Sequence, residues 1–337
     1  MEAFDLLPLE RQLELVHELA SAALPLWGQE DAKLELLKHR ENSVFKVTPE
    51  TGEPLVMRVH REHYHTDSQL SSELQWLKSL REVGVTTTVG VPCRDGALFA
   101  RVRCAGLPEG RQCDMLRWVS GHAIGSIEEG VNLDANTMQE VYRQVGEQAA
   151  LIHNHGETWQ RPAGFSRMTW DEQGFFGETG AISGRYWDLD SLTPPQLDLL
   201  HRAKQVTADA LADFGKTPDR YGLVHGDFLP ENLFFDGKTV QLIDWDDTGF
   251  GWHIYDFATA MFPHLDRPSL DVALPAMTAG YREHRPLPDA QLNMLPFLVM
   301  ARTLSYVGWV ASRREAGREL EDLAVGTACA LAEQLVS

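Results

Sequence analysis

The segment from Leu223 to Phe257, LVHGDFLPENLFFDGKTVQLIDWDDTGFGWHIYDF, constrains this chain more than any other stretch. Two apolar runs, Leu233 to Phe235 and Val240 to Ile243, flank an Asp236-Gly237 pair, the sequence signature of a β-hairpin. Asp227 lies ahead of the first strand, Asn232 stands at its start, and Asp244 leaves the second, with Asp246 and Asp247 just behind. The ends of a hairpin are neighbours, so Asn232 and Asp244 can point at one spot. Oxygen ligands of that kind suit a hard cation such as Mg²⁺, which takes one or two protein carboxylates and completes its shell with phosphate oxygens and water.

Phosphoryl transfer uses these parts: a carboxylate that orients an attacking hydroxyl and accepts its proton, with an Asn and an Asp holding metal on the nucleotide phosphates. His225-Gly226-Asp227, Asn232 five residues after that Asp, and Ile243-Asp244 after the next strand resemble the catalytic segment of the aminoglycoside phosphotransferase and choline kinase superfamily. That superfamily is the small-molecule branch of the protein-kinase-like fold and includes homoserine-kinase-like and stress-response-kinase-like phosphotransferases. The resemblance implies that Asp227 is the catalytic base and that Asn232 and Asp244 bind metal. It implies a structural role for Asp256, bracing the loop, and for His225, which packs and hydrogen-bonds. Any one of these residues alone reads as a solvated loop side chain; their joint spacing around a hairpin is what carries weight.

Composition narrows the class. A chain of 337 residues with 43% apolar content is long enough for two lobes with full cores. A net charge of −19 argues against a nucleic-acid partner. It is compatible with a cationic acceptor drawn to an acidic cleft, and equally with acidity that serves solubility. Cys93, Cys104, Cys113 and Cys329 form no C-x-x-C pair and read as intracellular thiols. The N-terminus lacks the pattern of a signal peptide, and the apolar stretch Met294 to Val310 contains Arg302 and is too short to span a bilayer. The expectation is a cytoplasmic protein with no membrane partner; oligomeric state is left open.

Along the chain, apolar spacing predicts a helix over Leu9 to Leu26, then strands at Ala32–His39, Val44–Val47 and Leu55–His60. Three antiparallel strands in a row suggest the upper lobe of a kinase-like fold. The turn over the nucleotide phosphates would be His39 to Ser43, without the glycines of protein kinases; backbone amides at Asn42 and Ser43 can cradle phosphate, or the turn is a plain one. Arg58 occupies the third strand, where the fold places its phosphate-binding Lys; the other reading is a surface arginine. Ser68 to Val83 reads as a helix capped by Asp67 or Ser68. Its Glu73 lies on the apolar stripe of Leu70, Leu74 and Leu77, and a buried acid needs a partner. Arg58 is that partner, unless Glu73 reaches water at the stripe's edge.

Val91 to Cys104 reads as two strands around Asp95-Gly96, and Gln112 to Val119 as the strand leading to the hinge, which makes Leu116 and Trp118 candidates beside an adenine. His60, His63 and His65 lack further zinc ligands at suitable spacing, and His153 and His155 read as favourable residues at a helix C-terminus. Helices are expected at Ala135–His153, Pro195–Phe214, Leu270–Tyr281, Asp289–Arg313 and Gly317–Leu335. Trp159–Asp190 reads as a loop, in which Trp170, Asp171, Glu172 and Trp187 either pack or meet a cation. No A-P-E follows Asp244, which favours a small acceptor over a docked polypeptide.

The expected fold is therefore α+β and two-lobed: an antiparallel-sheet nucleotide-binding lobe over residues 1–117 and a mainly helical catalytic lobe over 118–337. The expected function is ATP-dependent phosphorylation of a small-molecule hydroxyl with Mg²⁺. The alternatives are a bacterial Ser/Thr protein kinase of the stress-response type and a nucleotide-binding pseudokinase. Aminoglycoside, choline, homoserine, hydroxylysine and sugar acceptors stay open, as does ATP against GTP.

Overall fold

The computed structural model describes residues 4–40, 42–127, 129–178, 182–313 and 317–337. The chain divides into two compact units, one running to Ser120 and including Arg161–Ser166, the other holding Gly121–Gln160 and Arg167–Ser337. The fold is mixed α+β, with the antiparallel sheet in the N-terminal region and helices dominating the C-terminal region.

In the first unit, α1 (Leu9–Ala23) buries Leu15, Val16, Leu19, Ala20 and Ala23, the single face that a 3.6-residue period predicts. That face packs on a five-stranded antiparallel sheet built from β1 (Lys33–His39), β2 (Asn42–Thr48), β3 (Leu55–His60), β4 (Phe99–Cys104) and β5 (Leu107–Arg117). The spatial order is β1-β2-β3-β5-β4. Phe45, Val47, Met57, Val59, Cys113 and Met115 join the α1 residues in one core.

Helix α2 (Asp67–Glu82) starts one residue earlier than its composition suggests. Thr66, rather than Asp67 or Ser68, is the cap: its Oγ1 accepts from the Gln69 amide at 3.2 Å, and Gln69 Oε1 accepts from the Thr66 amide at 2.9 Å. Residues 91–97 also depart from expectation. They form a turn, with Cys93 N–H bonded to Ala97 O, and only Phe99–Cys104 is a strand.

The second unit is organised by α3 (Ala135–Thr158), which follows three short strands, β6 (His122–Ala123), β7 (Gly125–Ser126) and β8 (Gly130–Val131). Asp134 caps α3 by accepting from the amides of Asn136 and Thr137. The stretch expected as loop contains β9 (Met168–Trp170) and α4 (Glu172–Phe176), the latter capped by Asp171. Then come α5 (Pro194–Phe214), β10 (Tyr221–Val224), β11 (Leu233–Phe235), β12 (Val240–Leu242), β13 (Gly249–Trp252), α6 (Ile254–Met261) and α7 (Leu270–His284).

Helices α3 and α7 touch backbone to backbone. A methyl group at Gly146 would strike the Met277 carbonyl, and one at Gly280 would strike the Arg143 carbonyl. The expected helix from Asp289 to Arg313 is two: α8 (Asp289–Leu292) and α9 (Leu295–Ala311). Pro296 explains the break: it lacks the N–H that a continuous helix would donate to the Leu292 carbonyl, and it is tolerated in the first turn of a new helix. Packed by α4, α5, α6 and α10 (Arg318–Val336), α9 is buried without interruption from Leu298 to Ser305. A helix that is apolar all round belongs inside, and this one is a core element.

Candidate active site

Strand β10 delivers the chain into the loop His225-Gly226-Asp227, and a hairpin brings the rest. β11 and β12 pair antiparallel, Leu233 opposite Leu242 and Phe235 opposite Val240. Asp236 closes their turn by accepting from the amides of Lys238 and Thr239, and Gly237 supplies a φ of +94°. At the open end the Ile243 amide donates to the Asn232 carbonyl at 3.1 Å. Asp244 follows at once, in a left-handed conformation (φ +61°) that Asp tolerates better than most residues.

Asn232 is buried, and its Nδ2 donates to the Asp227 Oδ2 at 2.8 Å and to the Asp227 carbonyl at 3.0 Å. The amide nitrogen is thus turned to Asp227, which makes the side-chain oxygen the atom available to a cation. Asn232 and Asp244 carry oxygens of the hard type that Mg²⁺ or Ca²⁺ takes, and Asp246 and Asp247 follow in sequence. Burial and the neighbouring Asp227 carboxylate push the Asp247 carboxyl well above its usual range, with Arg302 opposing.

The loop is held from behind. Asp256, fully buried near the start of α6, accepts from the His225 amide at 3.1 Å and the Gly226 amide at 2.7 Å. It also accepts from His153 Nε2 at 2.9 Å, while the His153 Nδ1 faces the Tyr281 hydroxyl. Burial raises the Asp256 carboxyl to about 6, against the His225 ring and the two amides. The Phe228 amide donates to Thr259 Oγ1, one turn further along α6.

His225 spans the two halves of the site: its Nδ1 accepts from the Asp227 amide and its Nε2 donates to the Ile243 carbonyl. With both nitrogens engaged this way the ring is neutral, and burial pulls its pKa down to about 4. Gly226 has φ +85°, and a Cβ there would sit 2.7 Å from the Asp247 carbonyl. Only glycine serves both conditions.

Three arginines to which the sequence assigns no site role matter here. Arg167, buried, donates to the carbonyls of Trp245, Asp246 and Thr248 and so pins the segment after Asp244. Arg302 of α9 donates from Nη2 to the Asp227 Oδ1 at 2.8 Å. Arg285, near the end of α7, binds Glu157 and Asn154 of α3 on the outside of the brace.

In the first unit, Arg58 and Glu73 do meet, Nη2 to Oε1 at 2.8 Å, both buried. The pair has a third member. Asp114 of β5 takes Arg58 in a bidentate grip, at 3.0 Å from Nε and 2.6 Å from Nη2, and His60 Nε2 lies 3.0 Å from the same carboxylate. Burial opposes the Asp114 charge, but the Arg58 guanidinium and His60 outweigh it and hold the carboxyl well below its usual range. His60 is thereby spent on Asp114, while His63 is 90% exposed.

Asn42 and Ser43 lie within β2, Ser43 opposite His39 and Val59, with its hydroxyl 2.8 Å from His39 Nδ1. Glu41, between Arg40 and Asn42, lies outside the described residues. Leu116 is buried in β5, and Trp118 is 37% exposed with the Lys46 ammonium 5.1 Å from its ring centre. Of the loop residues, Trp170 is buried against Tyr255 and Phe175, Asp171 and Glu172 both hold Lys216, and Trp187 carries Lys204 on its face. Trp170 thus packs, while the other three meet lysines of the protein itself. His153 is no helix-end residue either, because α3 runs on to Thr158 and places it inside.

Residues 33–287 match the family model described as the phosphotransferase enzyme family. The solved structure of a microcompartment-associated aminopropanol kinase is 35% identical, with a TM-score of 0.81 over 94% of this chain and 97% of that one. The amicoumacin kinase of Bacillus subtilis (strain 168) is 22% identical over 306 residues, 87% of this chain and 85% of its own. Another amicoumacin kinase, solved with AMP-PNP, Ca²⁺ and Ami, shares the fold at 17% identity, with a TM-score of 0.76 over 96% of this chain and 92% of that one.

Proposed function

The chain belongs to the phosphotransferase enzyme family, and on that premise we propose that it moves the terminal phosphoryl group of ATP to the hydroxyl of a small amino alcohol. Asp227 is the base in this reading: it orients the acceptor hydroxyl and takes its proton as the oxygen attacks. Asn232 and Asp244 would hold a divalent cation such as Mg²⁺, which neutralises phosphate charge when bound. Arg58, with Glu73, supplies the positive charge on the nucleotide side, and it is an arginine already fixed by two carboxylates. Asn42 and Ser43 on the phosphate side and Leu116 and Trp118 on the adenine side complete the proposed nucleotide residues.

The observation that carries the reading is the Asn232 side chain bound to the Asp227 carboxylate, at the hairpin end from which Asp244 emerges. An acceptor bearing an amine fits the acid surplus of Asp227, Asp244, Asp246 and Asp247, which favours a cation near the reacting oxygen. The 35% identity to an aminopropanol kinase supports the same substrate class.

The test is nucleoside-diphosphate release with Mg²⁺-ATP and Mg²⁺-GTP against amino alcohols, hydroxy amino acids, sugars and aminoglycosides. Release stimulated by amino alcohols and abolished by Asp227→Asn is the expected result. Stimulation by sugars or aminoglycosides alone would move the acceptor to another class.

A further inference from the structure

Arg302 is the one basic residue in α9, and α9 is a core helix. A charge there needs a reason. Its guanidinium reaches the Asp227 Oδ1 at 2.8 Å, with the Arg302 side chain 10% and the Asp227 side chain 15% exposed. Burial works against the arginine's charge, and Asp227 outweighs it, so the group stays protonated.

The geometry at Asp227 says what the contact does. An aspartate carboxylate turns freely about its last torsion, which has a broad two-fold profile. One donor on one oxygen does not stop that rotation. Here the two oxygens have different donors on different elements: Arg302 Nη2 on Oδ1 and Asn232 Nδ2 on Oδ2. Together they fix the plane of the carboxylate and leave its remaining lone pairs directed at fixed points.

The mount of Arg302 is rigid as well. Helix α9 packs on α6, whose Asp256 and Thr259 hold the backbone of the same loop. Main chain and side chain of Asp227 are therefore referenced to one pair of packed helices. Asp227 is the strongest partner of the guanidinium, with the Tyr255 hydroxyl of α6 and the Asp247 carboxyl also beside it.

We infer that Arg302 is a positioning residue for phosphoryl transfer, acting through Asp227 by holding its carboxylate in the orientation that receives the acceptor hydroxyl. The inference rests on Asp227 being the base. In a reaction whose catalysis is mostly positioning, displacement by about 1 Å costs on the order of 100-fold in rate.

The experiment is a double-mutant cycle with Arg302→Met, Asp227→Asn and both together, reading kcat, both KM values and nucleotide affinity. Arg302→Met is expected to lower kcat about 100-fold, with KM for nucleotide and acceptor changed less than about threefold. In the Asp227→Asn background the same change is expected to do nothing further, because the carboxylate it serves is gone. Guanidinium added to Arg302→Ala is expected to restore part of the rate.

A full additional loss in the Asp227→Asn background would overturn the inference, as would a rise confined to the acceptor KM, which would make Arg302 a substrate contact. Should Arg302→Met not fold, Arg302→Lys carries the test: it keeps the charge and loses the fork, and unchanged kcat in a folded Lys variant also overturns the inference. Full activity in Asp227→Asn is a separate outcome that removes the base assignment itself.

Discussion

His153 Nε2 lies 2.9 Å from Asp256 Oδ2, joining the middle of α3 to the residue that holds the His225 and Gly226 amides. The carboxylate thus receives three N–H donors, two of them from the loop that carries Asp227. Replacing the acid by an amide removes acceptor capacity and turns an NH₂ group toward those donors. Asp256→Asn is expected to cost about 2–3 kcal/mol in stability and to lower kcat by more than tenfold; urea unfolding beside steady-state kinetics checks both. A variant with unchanged midpoint and unchanged kcat would show that the loop does not depend on this brace.

The buried histidines set the direction of the pH dependence. His225 has its pKa lowered by burial to about 4, from an ordinary 6.5. The unfolded chain therefore binds a proton below pH 6.5 that the folded chain refuses until about pH 4. Stability present above 6.5 is lost as pH falls through that window, by up to about 3 kcal/mol from this residue. Burial also lowers His153 and His253, which act in the same sense. Asp256, raised to about 6, acts in the opposite sense between 6 and 3.8 and offsets part of the loss. The raised Asp247 carboxyl acts in the same opposing sense; denaturant midpoints are expected to change little between pH 7.5 and 6.5 and to fall from 6.5 through 5.5 to 4.5, and a flat or rising series below 6.5 would contradict the neutral, buried state of these rings.

Asp114 makes the Arg58–Glu73 pair a triad. Removing one member of a buried ionic cluster leaves charge without its full complement, a loss of about 3 kcal/mol or more. Asp114→Asn is expected to show that loss in urea unfolding and a raised KM for nucleotide with a smaller effect on kcat. A loss below about 1 kcal/mol would mean that Glu73 alone satisfies Arg58.

At Gly226 the backbone and the space argue together. Alanine there meets a positive φ and a carbonyl 2.7 Å from its methyl, so the loop or the Asp247 segment must move. Gly226→Ala is expected to lower kcat about 100-fold while the protein stays folded with about 1–3 kcal/mol less stability. Wild-type turnover in this variant would show that the site tolerates displacement of the loop.

How much of this is legible in the sequence depends on how local each signal is. The hairpin is legible because Asp236-Gly237 and two apolar runs lie within a dozen residues, and it brings Asn232 beside Ile243 as the pattern implies. Arg58 and Glu73 are legible as charges on otherwise apolar elements. The same reasoning applies to Asp114, an acid inside QCDMLRWV, and to Arg302, the charge inside Met294–Val310. Both positions carry the signal of a buried charge that needs a partner. What sequence does not supply is the partner, since Arg302 lies 75 residues from Asp227 and Asp114 lies 56 from Arg58. His153 is hidden for another reason: it resembles a helix-end residue until α3 is seen to continue past it. Thr66 as the cap of α2 and the break before Pro296 are both local, and each is readable from its capping box or its proline.

The most direct test of the account is turnover by Asp227→Asn under saturating Mg²⁺-ATP and an amino alcohol, with nucleotide affinity measured on the same preparation. The account predicts a kcat lowered by about 10² to 10⁴ with nucleotide binding within about threefold of the parent. Turnover close to the parent would contradict it, because the account gives the proton of the attacking hydroxyl to Asp227.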